Sequence, residues 1–476
     1  MIRQIKLVFS LLPLIIYSQE YNYDVSSSYI IDTLLHKVER KQNLYLISKI
    51  YKITVDDIKK YNPQIKGSRL SRKMLLKIPV KRKIQAENVV STIKNDSISF
   101  LSKKSDFITA NLMDSVFRKR SVKIALLAPF KLDQVELDSV ENSKLFLKNL
   151  NLTTISLDFY SGAITALHKA KKKGIDIEFD VIDTKNDSSA ISIITKNKKI
   201  EDYDFIIGPL IPRNINQFSI KNVKSNTPIV SPLSSKEIKI IDNVVQSMPS
   251  KLSQRNEMLR HIDSLILDNP DPCVMIIYDN DNESVKERLI EKFPYAELIN
   301  TDNNNGYVNP EITDSLLVTT KNNFVFLESD NLNTITSVSS LLNSQISKER
   351  KILMMTTFRS DVYENENISF EHLGNLNFTY PSYYLPVYDN EKINLFNSLY
   401  LEEFGKRPNK IAIRGYDITL DLILRVANKR KLIKSIEIGE TEYLQNKFNY
   451  FPFKKGFINK SIYLIKHEKL NVLEIK

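Results

Sequence analysis

Cysteine, histidine and glycine are all scarce in this chain, and each scarcity removes a class of chemistry. The one cysteine, Cys273, excludes an intramolecular disulfide. It sits in PCVMIIYD, whose apolar run reads as a central strand, so a buried, inert thiol is expected. A cysteine nucleophile would need an exposed thiol and a partner histidine. The five histidines, at 36, 168, 261, 372 and 467, show no metal-ligand spacing and read as surface or capping residues. The clustered His and Asp ligands of a zinc endopeptidase are missing. With 10 glycines in 476 residues there is no phosphate-cradling loop and no G-x-S-x-G elbow. Past the N-terminus, no segment reaches the ~18 apolar residues that a membrane helix needs. No metal site and no cofactor is expected. A carboxylate-pair glycosidase is the one hydrolase without a motif to look for, since Asp and Glu occur throughout.

What remains has the composition of a folded protein, 42% apolar and 26% charged. The length suggests roughly three domains or lobes. The net charge of +12 is uneven. Residues 36–80 carry 12 basic and 3 acidic side chains, residues 81–120 carry 9 and 4, and residues 121–476 carry 45 and 46. A basic N-terminal portion is drawn to anionic polymers by a force that salt screens. Peptidoglycan carboxylates or membrane phosphates fit that charge. Nucleic acid fits it too, but no RNA-binding aromatic motif or zinc finger is present, and the N-terminus reads as an export signal. Arg3 and Lys6 precede a short apolar run, Leu7–Tyr17, and Ser18 precedes Gln19-Glu20, so residues 1–18 are expected to be a cleaved signal peptide. No cysteine lies near enough to anchor a lipid. The expected compartment is the periplasm or cell envelope.

Residues 36–79, HKVERKQNLYLISKIYKITVDDIKKYNPQIKGSRLSRKMLLKIP, read as strand, helix, helix, strand. Leu44, Ile47, Ile50 and Tyr51 recur at helical spacing. Thr54 is placed to cap a second helix with Asp56 and Asp57 in its first turn, and Asn62-Pro63 stops that helix. This βααβ order resembles a LysM module, a family that binds N-acetylglucosamine polymers, chiefly peptidoglycan. The resemblance places a glycan groove at Arg40, Lys41, Gln42, Asn43 and Leu44 on one side and Asn62, Pro63, Gln64 and Ile65 on the other. A LysM domain is therefore expected over 36–80. Residues 81–120 follow as a basic polar linker with one short helix near Asp106–Arg118.

From residue 121 continuous apolar strands alternate with amphipathic helices, which implies parallel sheets covered on both faces. VKIALLAPF, IDIEFDVID, DFIIGPL and TPIVSPLSS build a first α/β unit. VVQSMPSK reads as a crossing segment, after which PCVMIIYD, AELIN, NFVFLES and KILMMTTF build a second. The stretch LNFTYPSYYLP is extended, two helices return, and the C-terminus alternates like one antiparallel hairpin turning near His467–Lys469. Lobes are expected at 121–245 and 246–375, with 376–476 supplying a crossing segment, returning helices and the hairpin.

The strand VKIALLAPF, the IIGPL turn, PIVSPLSS, TYPSYY and RPNKIAIRGYDITLDLIL resemble the periplasmic-binding-protein type I fold, nearest to the amino-acid-binding branch of ABC-transporter substrate-binding proteins. That fold binds ligands outside the carboxyl ends of its strands, between the lobes. Pro129, Phe130, Gly208, Pro209, Leu210, Ser231, Ser234 and Ser235 are the first-lobe candidates. Tyr278, Asp279, Glu328, Ser329, Thr357 and Phe358 are those of the second. Free N–H groups and serine hydroxyls suit a carboxylate, and Asp279 or Glu328 suits an ammonium group. Past the Gly-Pro turn, where the family often has Ser or Thr, this chain has Ile211-Pro212-Arg213-Asn214. The expectation is a non-enzymatic envelope protein that binds peptidoglycan and a small ligand such as an amino acid or muropeptide. The alternatives are a scaffold or regulator of wall-synthesis enzymes with a degenerate cleft and, more remotely, a wall hydrolase.

Overall fold

A computed structural model describes residues 29–38, 44–51, 53–63, 65, 70, 74–83, 109–135, 139–236, 238–269, 271–301, 306–386 and 390–475. The expected signal peptide lies outside these residues, as do 84–108 of the expected linker. The chain divides into two units, 1–103 and 104–476.

In the first unit β1 (Tyr29–Lys37) pairs antiparallel with β2 (Leu75–Lys83) around helices Leu44–Tyr51 and Val55–Tyr61. Val38, Leu44, Ile47, Ile58, Leu76 and Ile78 form its core. β1 begins well before the expected HKVE and β2 runs on past the expected LLKIP, the two pairing from Tyr29 opposite Lys83 to Lys37 opposite Leu75. Asn62 ends the second helix in a specific way. Its amide nitrogen donates to the carbonyls of Ile58 (2.7 Å) and Lys77 (2.6 Å), and its oxygen accepts from Lys77 N–H (2.7 Å), which pins the helix end to β2.

The second unit holds two seven-stranded sheets. The first contains β3 (Ser121–Ala128), β4 (Asp176–Asp183), β5 (Phe205–Ile207), β6 (Ile229–Ser231) and β7 (Val244–Gln246), in the order β4-β3-β5-β6-β7 and all parallel. The second contains β8 (Cys273–Tyr278), β9 (Glu297–Asn300), β10 (Asn322–Glu328), β11 (Lys351–Met355) and β12 (Thr379–Ser382), in the equivalent order β9-β8-β10-β11-β12. The doubly wound order second-first-third-fourth-fifth thus occurs twice, one of the orders that alternating apolar strands and helices permit. A small ribbon, β13 (Thr441–Glu442) and β14 (Lys447–Phe448), stands apart.

The C-terminus differs from expectation. It makes two hairpins, one for each sheet. β15 (Tyr450–Phe453) and β16 (Gly456–Asn459) extend the first sheet beyond β7, while β17 (Tyr463–Glu468) and β18 (Asn471–Glu474) extend the second beyond β12. The turn after Glu468 was legible from the alternation; the change of sheet at 460–462 was not, because both hairpins alternate alike. VVQSMPSK likewise divides. Val244–Gln246 is a first-sheet strand, and only the next few residues cross before Ser250 caps the helix Lys251–Asp268. Three short helices carried too little periodicity to predict: Val140–Lys148, Pro310–Leu316 and Phe370–Asn375, capped by Ser139, Asn309 and Ser369.

The described end of the expected linker is part of this body. Instead of a helix near Asp106–Arg118 there is one 3-10 turn, Leu112–Asp114. Leu112 is buried in the main core, and the N–H groups of Arg118 and Lys119 both bond the carbonyl of Ala427, at 2.7 and 2.9 Å.

Helix Lys410–Lys429 organises the first lobe, with every residue from Ala412 to Ala427 buried. It crosses helix Leu152–Lys172 at two glycines. A Cβ on Gly162 would lie 1.9 Å from the Ala412 carbonyl oxygen, and one on Gly415 would lie 2.3 Å from that of Phe159.

Candidate functional site

In the small unit the described groove candidates are mostly structural. Leu44 is core, Asn62 is buried with its amide fully engaged, and Ile65 is half-buried with its N–H bonded to the Asn62 carbonyl. Pro63 is exposed. Arg40, Lys41, Gln42, Asn43 and Gln64 lie outside the described residues.

In the body all the candidates sit at or just beyond the carboxyl ends of parallel strands, as the winding dictates. Their availability differs. Phe130 and Leu210 belong to the first-lobe core, and Phe130 packs edge-on to Tyr160. Pro129 and Pro209 are buried as well. Gly208 has φ of 95°, and a Cβ there would lie 2.2 Å from the Leu127 carbonyl oxygen, so glycine is demanded by backbone packing. The Ser234 hydroxyl accepts from Lys236 N–H (3.1 Å), which fastens its own loop. Ser235 is half-buried. Ser231 is the exception: its hydroxyl is buried and has no hydrogen-bond partner among the described residues.

The second lobe is richer in charge. Glu328, at the end of β10, is 2% exposed. Its carboxylate accepts from Thr357 N–H at 2.5 Å and from the Thr357 hydroxyl at 2.8 Å. Burial pushes its pKa up to about 7, against the pull of Arg255, the Thr357 hydrogen bonds and Lys251. Arg255 is buried on helix Lys251–Asp268; it donates to Asn282 (2.9 Å) while its Nε has no partner among the described residues. Asn282 donates in turn to Asp279 (2.8 Å). Ser329 accepts from Asn331 N–H (3.1 Å) at the start of the next helix, and Lys251 stands 4.6 Å above the Phe358 ring. Tyr278 is buried, with Lys286 5.2 Å from its ring centre. Cys273 is the first residue of β8; it is half-buried where a buried thiol was expected, and burial raises its thiol pKa. Among the described residues no group of three or more His, Cys, Asp or Glu could hold a metal ion.

Helix Lys410–Lys429 carries a buried polar stripe that was not among the expected site residues. Arg414 is buried and donates to the Pro232 carbonyl (3.1 Å), to the Ser247 carbonyl and hydroxyl (both 3.0 Å) and to Asn446 (2.8 Å). Asp417, one turn on, accepts from the N–H groups of Leu444, Gln445 and Asn446, each at 3.0 Å. Burial raises its pKa to about 6 despite those bonds. Asn459 donates to the Ser247 carbonyl at 3.0 Å. Asp421 and Arg425 complete the helix face as an ion pair with no exposed side-chain surface. The signal for these was present: Arg414, Asp417, Asp421 and Arg425 recur at three- and four-residue spacing inside an apolar run, the pattern of a buried polar stripe.

Residues 36–79 match the LysM domain family. That segment is a LysM domain. No protein of curated function matches the chain. Solved structures similar to the rest include an ABC transporter substrate-binding protein from Desulfitobacterium hafniense in complex with Leu, at 12% identity and TM-score 0.44, covering 75% of this chain and 100% of that one. An ABC-type branched-chain amino acid transporter from Rhodopseudomonas palustris is 13% identical with TM-score 0.48, covering 74% and 97%. A branched-chain amino acid transporter substrate-binding protein from Streptococcus pneumoniae, in complex with isoleucine, is 13% identical with TM-score 0.41, covering 75% and 100%. The strand order itself, repeated in two sheets whose chain crosses between them after β7, β12 and β16, is that of the type I periplasmic-binding-protein fold that follows the LysM domain.

Proposed function

We propose that this is a non-enzymatic cell-envelope protein, exported by its N-terminal segment. In this reading the LysM domain tethers it to peptidoglycan and the two-lobed body binds a small molecule or a protein partner. The observation that carries the reading is the joining of a LysM domain to a body with two doubly wound sheets. The first supplies affinity for N-acetylglucosamine polymer, and the second supplies a cleft between strand ends. The charge supports the tether: residues 36–80 hold 12 basic and 3 acidic side chains, suited to the carboxylates of a wall polymer.

Retention on purified sacculi tests it. The full chain should sediment with sacculi, and a variant lacking 36–80 should stay in solution. Equal retention of both would remove the tether from the account.

For the body, an amino acid or muropeptide is the favoured class of ligand, with Ser231 facing its carboxylate and Glu328 or Asp279 its ammonium. Thermal melts against pools of such compounds should show a ligand-dependent rise, since binding to the native state alone adds stability. A second reading is favoured by how the polar candidates are spent. Ser234 fastens its own loop and Glu328 is satisfied by Thr357. A cleft so self-satisfied suits a scaffold or regulator of wall-synthesis enzymes, and melts unmoved by every pool would favour it. Release of soluble muropeptides from sacculi would instead point to a hydrolase.

A further inference from the structure

The first turns of helix Lys410–Lys429 hold an ionic contact that joins the two lobes. Lys410 belongs to the first-lobe helix, yet its ammonium lies 2.9 Å from Asp361 Oδ1 and 2.9 Å from Glu364 Oε2. Both acids follow β11 in the second lobe. Glu364 is itself held in place from three sides. Its other oxygen accepts from the Tyr384 hydroxyl (2.6 Å), on the segment that crosses after β12, and from Arg359 (3.3 Å), whose guanidinium stacks 5.0 Å from the Tyr380 ring. Burial opposes the charge on Glu364, but the hydrogen bonds from Tyr384 and Lys410 outweigh it and hold its pKa below the ordinary value. Lys410 is likewise raised by the two acids against its own burial.

The position of the lysine is informative. It is the first residue of a 20-residue helix whose first turn has no acid. A cation there opposes the helix macrodipole, so local helix energetics do not account for it. One turn later, on the same face, Arg414 grips Pro232, Ser247 and Asn446. The same helix start therefore holds the second lobe by charge and the crossing segments by hydrogen bonds.

We infer that Lys410, paired with Asp361 and Glu364, is an interlobe clamp that sets the angle between the lobes in the absence of any ligand. The lobe arrangement seen in the structure is then stabilised from within. A ligand or partner that needs the lobes apart must break a two-carboxylate contact, and one that fits the existing angle finds it preorganised. This does not depend on what the body binds.

Electron-spin distance measurement on the full chain, without ligand, tests it. Spin labels go on Lys172→Cys in the first lobe and Glu287→Cys in the second, both exposed helix positions, with Cys273→Ser as background. The labelled parent should give one narrow distance distribution. Lys410→Met should broaden it and move its mean by more than the parent's width, and the pair Asp361→Asn with Glu364→Gln should do the same. Lys410→Arg, which keeps the charge, should stay near the parent. Circular dichroism of each variant reports whether the fold persists; because Lys410→Met relieves the helix start, a folded variant is expected. Distributions identical to the parent in both Lys410→Met and the double carboxylate variant would overturn the clamp.

Discussion

Replacing Glu328 by glutamine tests the physical reading of the second lobe most directly. Glu328 is fully buried, and its pKa rises from 4.5 to about 7 on folding. Between those values the folded protein keeps a proton that the unfolded chain releases. The folded state therefore gains stability from this group below about pH 4.5, and the gain is lost as pH rises through 7. A difference of this size corresponds to about 3 kcal/mol in full, of which about 2.5 kcal/mol falls between pH 5 and pH 8. Asp417 is raised in the same direction, to about 6, so both carboxyl groups weaken the parent as pH rises, while His467, which burial lowers to about 4, acts in the opposite direction in parent and variant alike. Glutamine keeps a carbonyl oxygen to accept from Thr357 N–H and has no proton to lose. The variant's pH slope should be shallower by Glu328's share, leaving it more stable relative to the parent at pH 8 than at pH 5. Urea unfolding at the two pH values, followed by circular dichroism and by the fluorescence of the 22 tyrosines, measures this. Equal pH dependence in the two proteins would show that Glu328 is ionised, or solvated, to the same extent in folded and unfolded chains, and the reasoning would fail.

Two further substitutions probe the frame that holds the lobes. Gly162→Ala drives a methyl into the Ala412 carbonyl where two helix backbones touch; the helices must part, at a cost of about 3 kcal/mol or more, and an unchanged urea midpoint would contradict the packing. Arg425→Met leaves Asp421 buried without its cation and the carbonyls of Ser435, Gly439 and Phe448 without the guanidinium; a loss of about 4 kcal/mol or more is expected in the same assay, and a loss below about 1 kcal/mol would show that the pair is dispensable.

The strands of the body were legible because burial on both faces makes each one a continuous apolar run, as VKIALLAPF and NFVFLES show. The LysM domain was legible because its two helices keep a helical apolar period and end at an Asn-Pro. Where the reading of the sequence went astray, a signal was shared between alternatives. Alternation in the last 25 residues could not say that β15 and β16 belong to one sheet and β17 and β18 to the other. Residues 109–120 looked like tether because they are polar, yet Leu112 and a few backbone bonds suffice to dock them. Among the proposed site residues, Phe130 and Leu210 lie in the first-lobe core and Gly208 packs against the Leu127 carbonyl, contacts that depend on the fold and not on position beyond a strand. Arg414, Asp417 and Lys410 lie on a helix, and the groups they meet are remote along the chain, so no local pattern pairs them.

Local patterns in the chain determined which segments become strands and helices, that the strands lie buried between helices, and where the excess positive charge resides. Those properties depend on spacing and composition within a few residues. Only the tertiary structure decided which carboxyl-edge groups remain available, how the C-terminus is shared between sheets, and that Lys410 reaches Asp361 and Glu364 some fifty residues away. Hydrogen bonds and ion pairs act over a few ångströms in space, and proximity between distant residues is a property of the folded chain that no local pattern encodes.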